Sequence, residues 1–183
     1  MAAPTTWNID TAHSDAEVAV RHMMISTVKG HFAAVAGTVL MNESDPAAST
    51  VDVTIPLASI DTRDPKRDAH LKSADFFDAE KFPAITFKST RVSGDLQGTF
   101  TVVGNLSMHG VTRPVTLEVE AAGRGKDPWG GEVAGFSART KVNRKDFGLE
   151  WNVALETGGV LVGDEVKISL EVELKKQAAQ AVA

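Results

Sequence analysis

Five histidines, His13, His22, His31, His70 and His109, are the side chains of this chain best suited to acid–base or metal chemistry. A metal site needs two of them at helical spacing, as in HExxH, or a carboxylate at ligand spacing beside two of them. Neither pattern occurs, so no metal is expected. Cysteine is absent, which removes thiolate catalysis, disulfides and Cys-ligated zinc or iron–sulfur centres. No GxSxG elbow is present, and the serines and histidines have no spacing that calls for a triad. The glycine-rich stretch Gly123 to Gly131 carries Arg124 and Lys126. It runs on into a strand-like segment rather than a helix. It therefore reads as a wide hairpin loop with Trp129 as lid or staple, not as a phosphate loop. Arg63 to Arg67 alternate with Asp61, Asp64 and Asp68, the pattern of a self-paired helix start. His109 before Gly110 reads as a turn residue, and His13 and His31 are read the same way. His22 stands apart. It continues the face of Val18 and Val20 at spacing two, so it is either a polar group at the end of an apolar cavity or a buried histidine bonded to backbone.

The elements that must position these residues have a period of two. Val51-Asp52-Val53-Thr54-Ile55, Ile85-Thr86-Phe87-Lys88-Ser89, Val115 to Val119 and Ile168 to Leu174 alternate apolar and polar, as half-buried strands do. Trp7 to Ile9, Val18 to Val20, Gly37 to Met41, Phe100 to Val103 and Phe136 to Val142 extend the set. Turn signals such as Ser93-Gly94-Asp95 separate them. Eight or more strands so spaced predict an all-β barrel or sandwich. One segment breaks the period: Asp64 as N-cap and Pro65 at the first helical position start a short helix through Ser73. A second helical turn is expected over Met24 to Val28, ended by Gly30.

The chain has 183 residues and a formal net charge of −5. This length fits one domain, with its core at about 6–175; the end of the chain (KKQAAQAVA), with 176–183 its outermost part, has no apolar face and is expected to fray. The acidic balance gives no footprint for nucleic acid. No apolar run is long enough to span a bilayer as a helix. MAAPTTW lacks the basic and apolar regions of a secretory signal. A cytoplasmic location is expected, or a periplasmic one if this is a trimmed mature form.

Taken in order, the motifs resemble the YceI-like family from Trp7 to about Leu174. They begin with Trp7-Asn8-Ile9-Asp10, His13-Ser14, Val20-Arg21-His22 and Gly30-His31-Phe32. The block Arg67-Asp68-Ala69-His70-Leu71-Lys72-Ser73-Ala74-Asp75-Phe76-Phe77 is the most specific, followed by Phe82-Pro83-Ala84-Ile85-Thr86-Phe87. Gly110 to Val115, Asp127-Pro128-Trp129-Gly130-Gly131, Ala134-Gly135-Phe136 and Lys145-Asp146-Phe147-Gly148 complete the series. The resemblance implies an eight-stranded antiparallel lipocalin-like barrel with one or two short helices and a tunnel for a long prenyl chain. The expected occupant is an isoprenoid lipid such as ubiquinone or a polyprenyl phosphate, with no other cofactor. Relatives often carry a larger aromatic where this chain has Val18, a change that widens the interior locally.

Alternation and the resemblance together place Val18, Val20, His22, Phe32, Val53, Ile55, Phe76, Ile85, Phe87, Phe100, Val102, Phe136 and Phe147 inward as ligand-binding residues. His13, Ser14, Arg67 and Arg144 are the polar candidates at the mouth. A barrel of this size either fills its interior with side chains or holds one small ligand, and composition does not separate the two. The leading reading is a non-catalytic binding, storage or transport module for an isoprenoid lipid. A filled-barrel, stress-related interaction protein and an enzyme with His22 as acid or base are the alternatives. A homodimer through an outer barrel face is compatible with all three.

Overall fold

Alternation decides which face each strand turns inward, and strand pairing then closes the wall. In the computed structural model, which describes residues 3–178, the strands are β1 (Thr5–Ile9), β2 (Asp15–His22), β3 (Ser26–Phe32), β4 (Ala36–Met41), β5 (Thr50–Pro56), β6 (Ile60–Asp61), β7 (Ala84–Gly94), β8 (Thr99–Met108), β9 (Val111–Lys126), β10 (Glu132–Asn143) and β11 (Val162–Lys176); the one α-helix, α1, spans Pro65–Lys72. All pairings are antiparallel. β1 and β2 lie end to end along one edge of β11: β1 pairs with Leu174 to Lys176 and β2 with the stretch from Val162 to Glu171. β4 and β3 continue outward from them in the same broken fashion, and then β5 and β6. Counting each broken pair as one strand gives eight. β5 joins β7, and the meander β7-β8-β9-β10-β11 returns to β1 and β2. The β1–β11 pairing closes the wall, while the two-residue β6 pairs only with His31 and Phe32 of β3 and with no strand beyond.

The register carries the alternation inward. Val53 opposes Phe87 and Ile55 opposes Ile85. Val92 opposes Val102, Val102 opposes Leu117, and Phe136 opposes Val172. Gly104 on β8 leaves room for the Phe87 ring; a Cβ there would collide with Phe87 Cζ. α1 begins as its sequence signals. The Asp64 carboxylate accepts from Lys66 N at 3.0 Å and Arg67 N at 3.2 Å, and Pro65 occupies the first turn.

Three expectations need correction. Met24 to Val28 is not helical: Met23 to Ile25 form the β2–β3 turn, and β3 starts at Ser26. Trp129 fastens nothing, being 87% exposed at the tip of the β9–β10 hairpin. The end of the chain is ordered further than its composition suggested. Lys176 is in β11, its Nζ bonds Glu132, and Gln177 N donates to Thr6 O at 2.8 Å. The remainder of the expected frayed tail, 179–183, lies outside the described residues.

Candidate functional site

The inward faces enclose a cavity of about 430 Å³, within the ordinary range for ligand sites of roughly 300–1,000 Å³. The barrel is therefore hollow. Val18, Val20, His22, Phe32, Val53, Ile55, Phe76, Ile85, Phe87, Phe100, Val102 and Phe136 all line it. Alternation and the resemblance brought these twelve together from six strands and the segment after α1. It did not select Leu117, Ala138, Leu170 and Val172, which line the cavity from β9, β10 and β11. Their period-two pattern was a sufficient signal. Trp151, also in the lining, comes from an irregular loop and has no such signal.

The two ends of the cavity differ. At one end Met41, Leu96 and Phe100 are all buried and shut the barrel. At the other end His22, Arg67, His70, Phe77, Trp151 and Leu161 line the cavity but remain half-exposed. That end is the mouth. It is framed by the β2–β3 turn, by α1 and the segment after it, and by the loop from Leu149 to Leu161.

Chemistry is distributed just as unevenly. Among the lining residues there is no Asp, Glu or Lys, while Arg21, Arg67, Arg144, His22 and His70 gather toward the mouth. Arg67 does not pair with the aspartates around it. Its Nε donates to Thr62 Oγ1 at 2.8 Å and its Nη2 to Thr62 O at 2.7 Å. Asp64 is occupied by the helix cap, and Asp68 accepts from Thr62 N and Oγ1. The reading of Arg63 to Arg67 as self-paired charges is corrected accordingly. His70 Nε2 lies 2.8 Å from Asp75 Oδ2, and its ring meets Phe76 and Trp151 edge-on at 5.1 and 4.7 Å. It holds the aromatic rim together. The His22 ring has no hydrogen-bond partner among the described residues, so of the two readings the polar group at the end of an apolar cavity fits.

Arg144 lines the cavity but is not available to a head group. It is buried, and its guanidinium donates to Leu149 O (2.6 Å), Gly163 O (2.8 Å), Trp151 O (2.9 Å) and Val162 O (3.4 Å). Burial lowers its pKa from the ordinary arginine value, and the Asp164 carboxylate, 3.7 Å away, acts in the opposite sense. Arginine still keeps its proton, so its role is to fasten the loop that frames the mouth.

Four other expectations fail. Phe147 is buried, but in a 3-10 turn after β10. It borders an outer groove with Pro114, Val115 and Val142, and does not line the cavity. Its carbonyl accepts from His109 Nδ1 at 3.1 Å, and His109 occupies the β8–β9 turn with φ 52° as expected. Ser14 is buried against β11, where its Oγ accepts from Glu173 N at 3.1 Å and stitches the two strands. His13 is exposed at the surface, with Nδ1 2.7 Å from Asp10 Oδ2. The 3-10 turn Thr11–His13 separates β1 from β2 and turns this corner away from the interior. His31 lies in β3 rather than in a turn, with Nδ1 2.8 Å from Asp15 Oδ2.

The corner at Asp10 is an ion-pair network. Lys175 Nζ sits 2.7 Å from Asp10 Oδ2. The Lys175 ammonium first, and then His13, hold the Asp10 carboxyl down at about 2, against 3.8 for the free group. A depressed carboxyl adds stability that is complete above the unfolded value and is lost as pH falls through the folded one. Asp10→Asn is therefore expected to cost stability near pH 5 and little near pH 2. Thermal melts across that interval check this, and a difference that stays constant with pH refutes it.

The YceI-like domain family matches residues 7–174. The chain belongs to this family. Among curated YceI relatives, a UPF0312 protein of Yersinia enterocolitica is 42% identical over 161 residues, covering 88% of this chain and 80% of the relative. Protein YceI of Escherichia coli O157:H7 is 43% identical over 138 residues, covering 75% and 72%. Among solved structures, a YceI protein of Campylobacter jejuni aligns with a TM-score of 0.72 and 30% identity, covering 86% of this chain and 90% of its own. BcnA of Burkholderia cenocepacia aligns at 0.76 with 24% identity, covering 90% and 98%. A polyisoprenoid binding domain from Saccharophagus degradans aligns at 0.64 with 14% identity, covering 94% and 99%. The last two share the YceI barrel.

Proposed function

We propose that the protein binds a long-chain isoprenoid lipid in the barrel interior and stores or carries it without altering it. The observation that carries this reading is the one-ended cavity, apolar along its length and cationic only toward its mouth. Each buried methylene contributes about 0.8 kcal/mol, so a prenyl chain lying against Phe87, Val102 and Phe136 binds by burial alone. The free His22 ring and the Arg67 guanidinium then meet the head group, of quinone or polyprenyl phosphate type. The absence of a carboxylate among the lining residues leaves His22 without a partner for acid–base work, which favours binding over catalysis. The fold shared with a domain described as polyisoprenoid binding supports the same ligand class.

Native mass spectrometry of gently purified protein, followed by organic extraction, tests the proposal. One bound species with an isoprene-spaced mass is the expected result. Protein at its bare mass that also takes up no added ubiquinone or polyprenyl phosphate rejects it.

A further inference from the structure

Six large apolar side chains are exposed among the described residues, and five of them lie at the mouth: Met23, Met24, Ile25, Val153 and Val160. They form one patch built on three adjoining backbone segments. Met23 N donates to Leu161 O at 2.8 Å, and Leu161 N donates to Val153 O at 2.9 Å. Ala154 and Val160 form a bridge within the loop, and Met24 lies over Gly159, where a Cβ would collide with its Sδ.

The turn that presents the patch is locally unfavourable. Ile25 N donates to His22 O at 3.0 Å, with Met23 at φ 51° and Met24 at φ 59°. Two positive φ values at the centre of a two-residue turn call for Asn-Gly or a similar pair. Methionine there is strained, and Ile25 beside it is 76% exposed. Neither choice adds to the core. Residues that break local rules without a packing return mark functional surface.

We propose that this patch is a membrane-docking surface that sets the mouth of the cavity against a lipid bilayer. It continues directly into the cavity, because His22, Leu161 and Val162 line the interior beside the patch residues. Its charge also fits a bilayer. From Val18 to Lys29 there is no carboxylate. Arg21 stands immediately behind the apolar tip, with Nη2 3.0 Å from Met24 O. An apolar tip backed by a cation matches the acyl boundary and the phosphate layer outside it. The neighbouring loop carries the exposed Glu150 and Glu156, so the attraction is chiefly apolar and does not depend on anionic lipid. The purpose of docking rests on the lipid-carrying role above. A prenyl chain then passes between bilayer and cavity without crossing water.

Flotation with phosphatidylcholine vesicles, alone and with phosphatidylglycerol added, tests the surface. The variant Met23→Asn/Met24→Gly/Ile25→Thr supplies the residues that the turn prefers, so its thermal midpoint should hold or rise. The wild type is expected to float with both vesicle types, and the variant to bind about tenfold less or weaker. A wild type that stays with the buffer, or a folded variant that floats as well as the wild type, overturns the proposal. So does a wild-type dimer that the variant splits while vesicles bind neither protein, since the patch then serves a second copy of the chain. Organic extraction of the same samples separates the two claims: protein that floats but neither carries nor takes up isoprenoid keeps the docking surface and loses the proposed ligand.

Discussion

Arg144→Met is expected to lower stability by about 3–4 kcal/mol, a drop of roughly 6–16 °C in thermal midpoint for a domain of this size. Arg144 donates to four carbonyls, those of Leu149, Trp151, Val162 and Gly163. Methionine keeps much of the length and apolar stem but strands those acceptors at a buried position. Arg144→Lys should recover only a minor part of the loss. A single ammonium cannot reproduce the fork that spans the loop from both sides. Thermal melts measure the global effect, and limited proteolysis of the Leu149 to Leu161 loop reads the local one. An Arg144→Met protein within about 1 kcal/mol of wild type, with that loop still protected, would show that the clamp is redundant.

Ala138→Phe should abolish most isoprenoid binding while leaving the barrel intact. Ala138 lines the cavity between Leu170 and Val119 on the flanking strands. A ring there takes the space of about four methylenes of a guest chain, which amounts to about 3 kcal/mol, or about two orders of magnitude in affinity. Because the ring enters existing space, stability should hold or rise slightly, in contrast to overpacking a filled core. Titration of an isoprenoid quinone into the apo protein measures the effect. Arg139→Ala is the matched control: Arg139 faces outward, 3.2 Å from Glu118 on the surface. Equal affinity in the Phe variant and the wild type would mean that the guest does not occupy the barrel interior.

Where period-two alternation ran unbroken, the sequence was sufficient to orient the side chains. Val53, Ile55, Ile85 and Phe87 fall on one face because nothing interrupts β5 or the start of β7. The helix start at Asp64-Pro65 was equally legible, since its cap depends only on neighbours in sequence. Legibility ended where backbone geometry departs from local preference. Met23 and Met24 adopt a turn conformation that their side chains disfavour, so turn chemistry gave no sign of it and Gly30 suggested a helix end instead. Ser14 belongs to the same parity as Ala16 and Val18, yet its hydroxyl is captured by the β11 backbone. Phe147 was placed inward although no alternating strand surrounds it, and its 3-10 turn buries it elsewhere. The mouth was the least legible part, because Arg144 and Trp151 are positioned by carbonyls and rings distant in sequence, those of Val162 and Gly163 and of His70 and Phe76.

The barrel shut by Met41, Leu96 and Phe100 has a kinetic corollary for a carrier. If the protein carries the proposed guest, loading and delivery share one doorway, so a second guest cannot push the first out from behind. Exchange is then strictly sequential, and the protein itself has no means of imposing direction. Net flow follows whichever compartment or acceptor keeps the guest scarcer. A chain too long for the closed end must leave its surplus outside, next to its head group, so the depth of the tube acts as a ruler on what it can fully sequester.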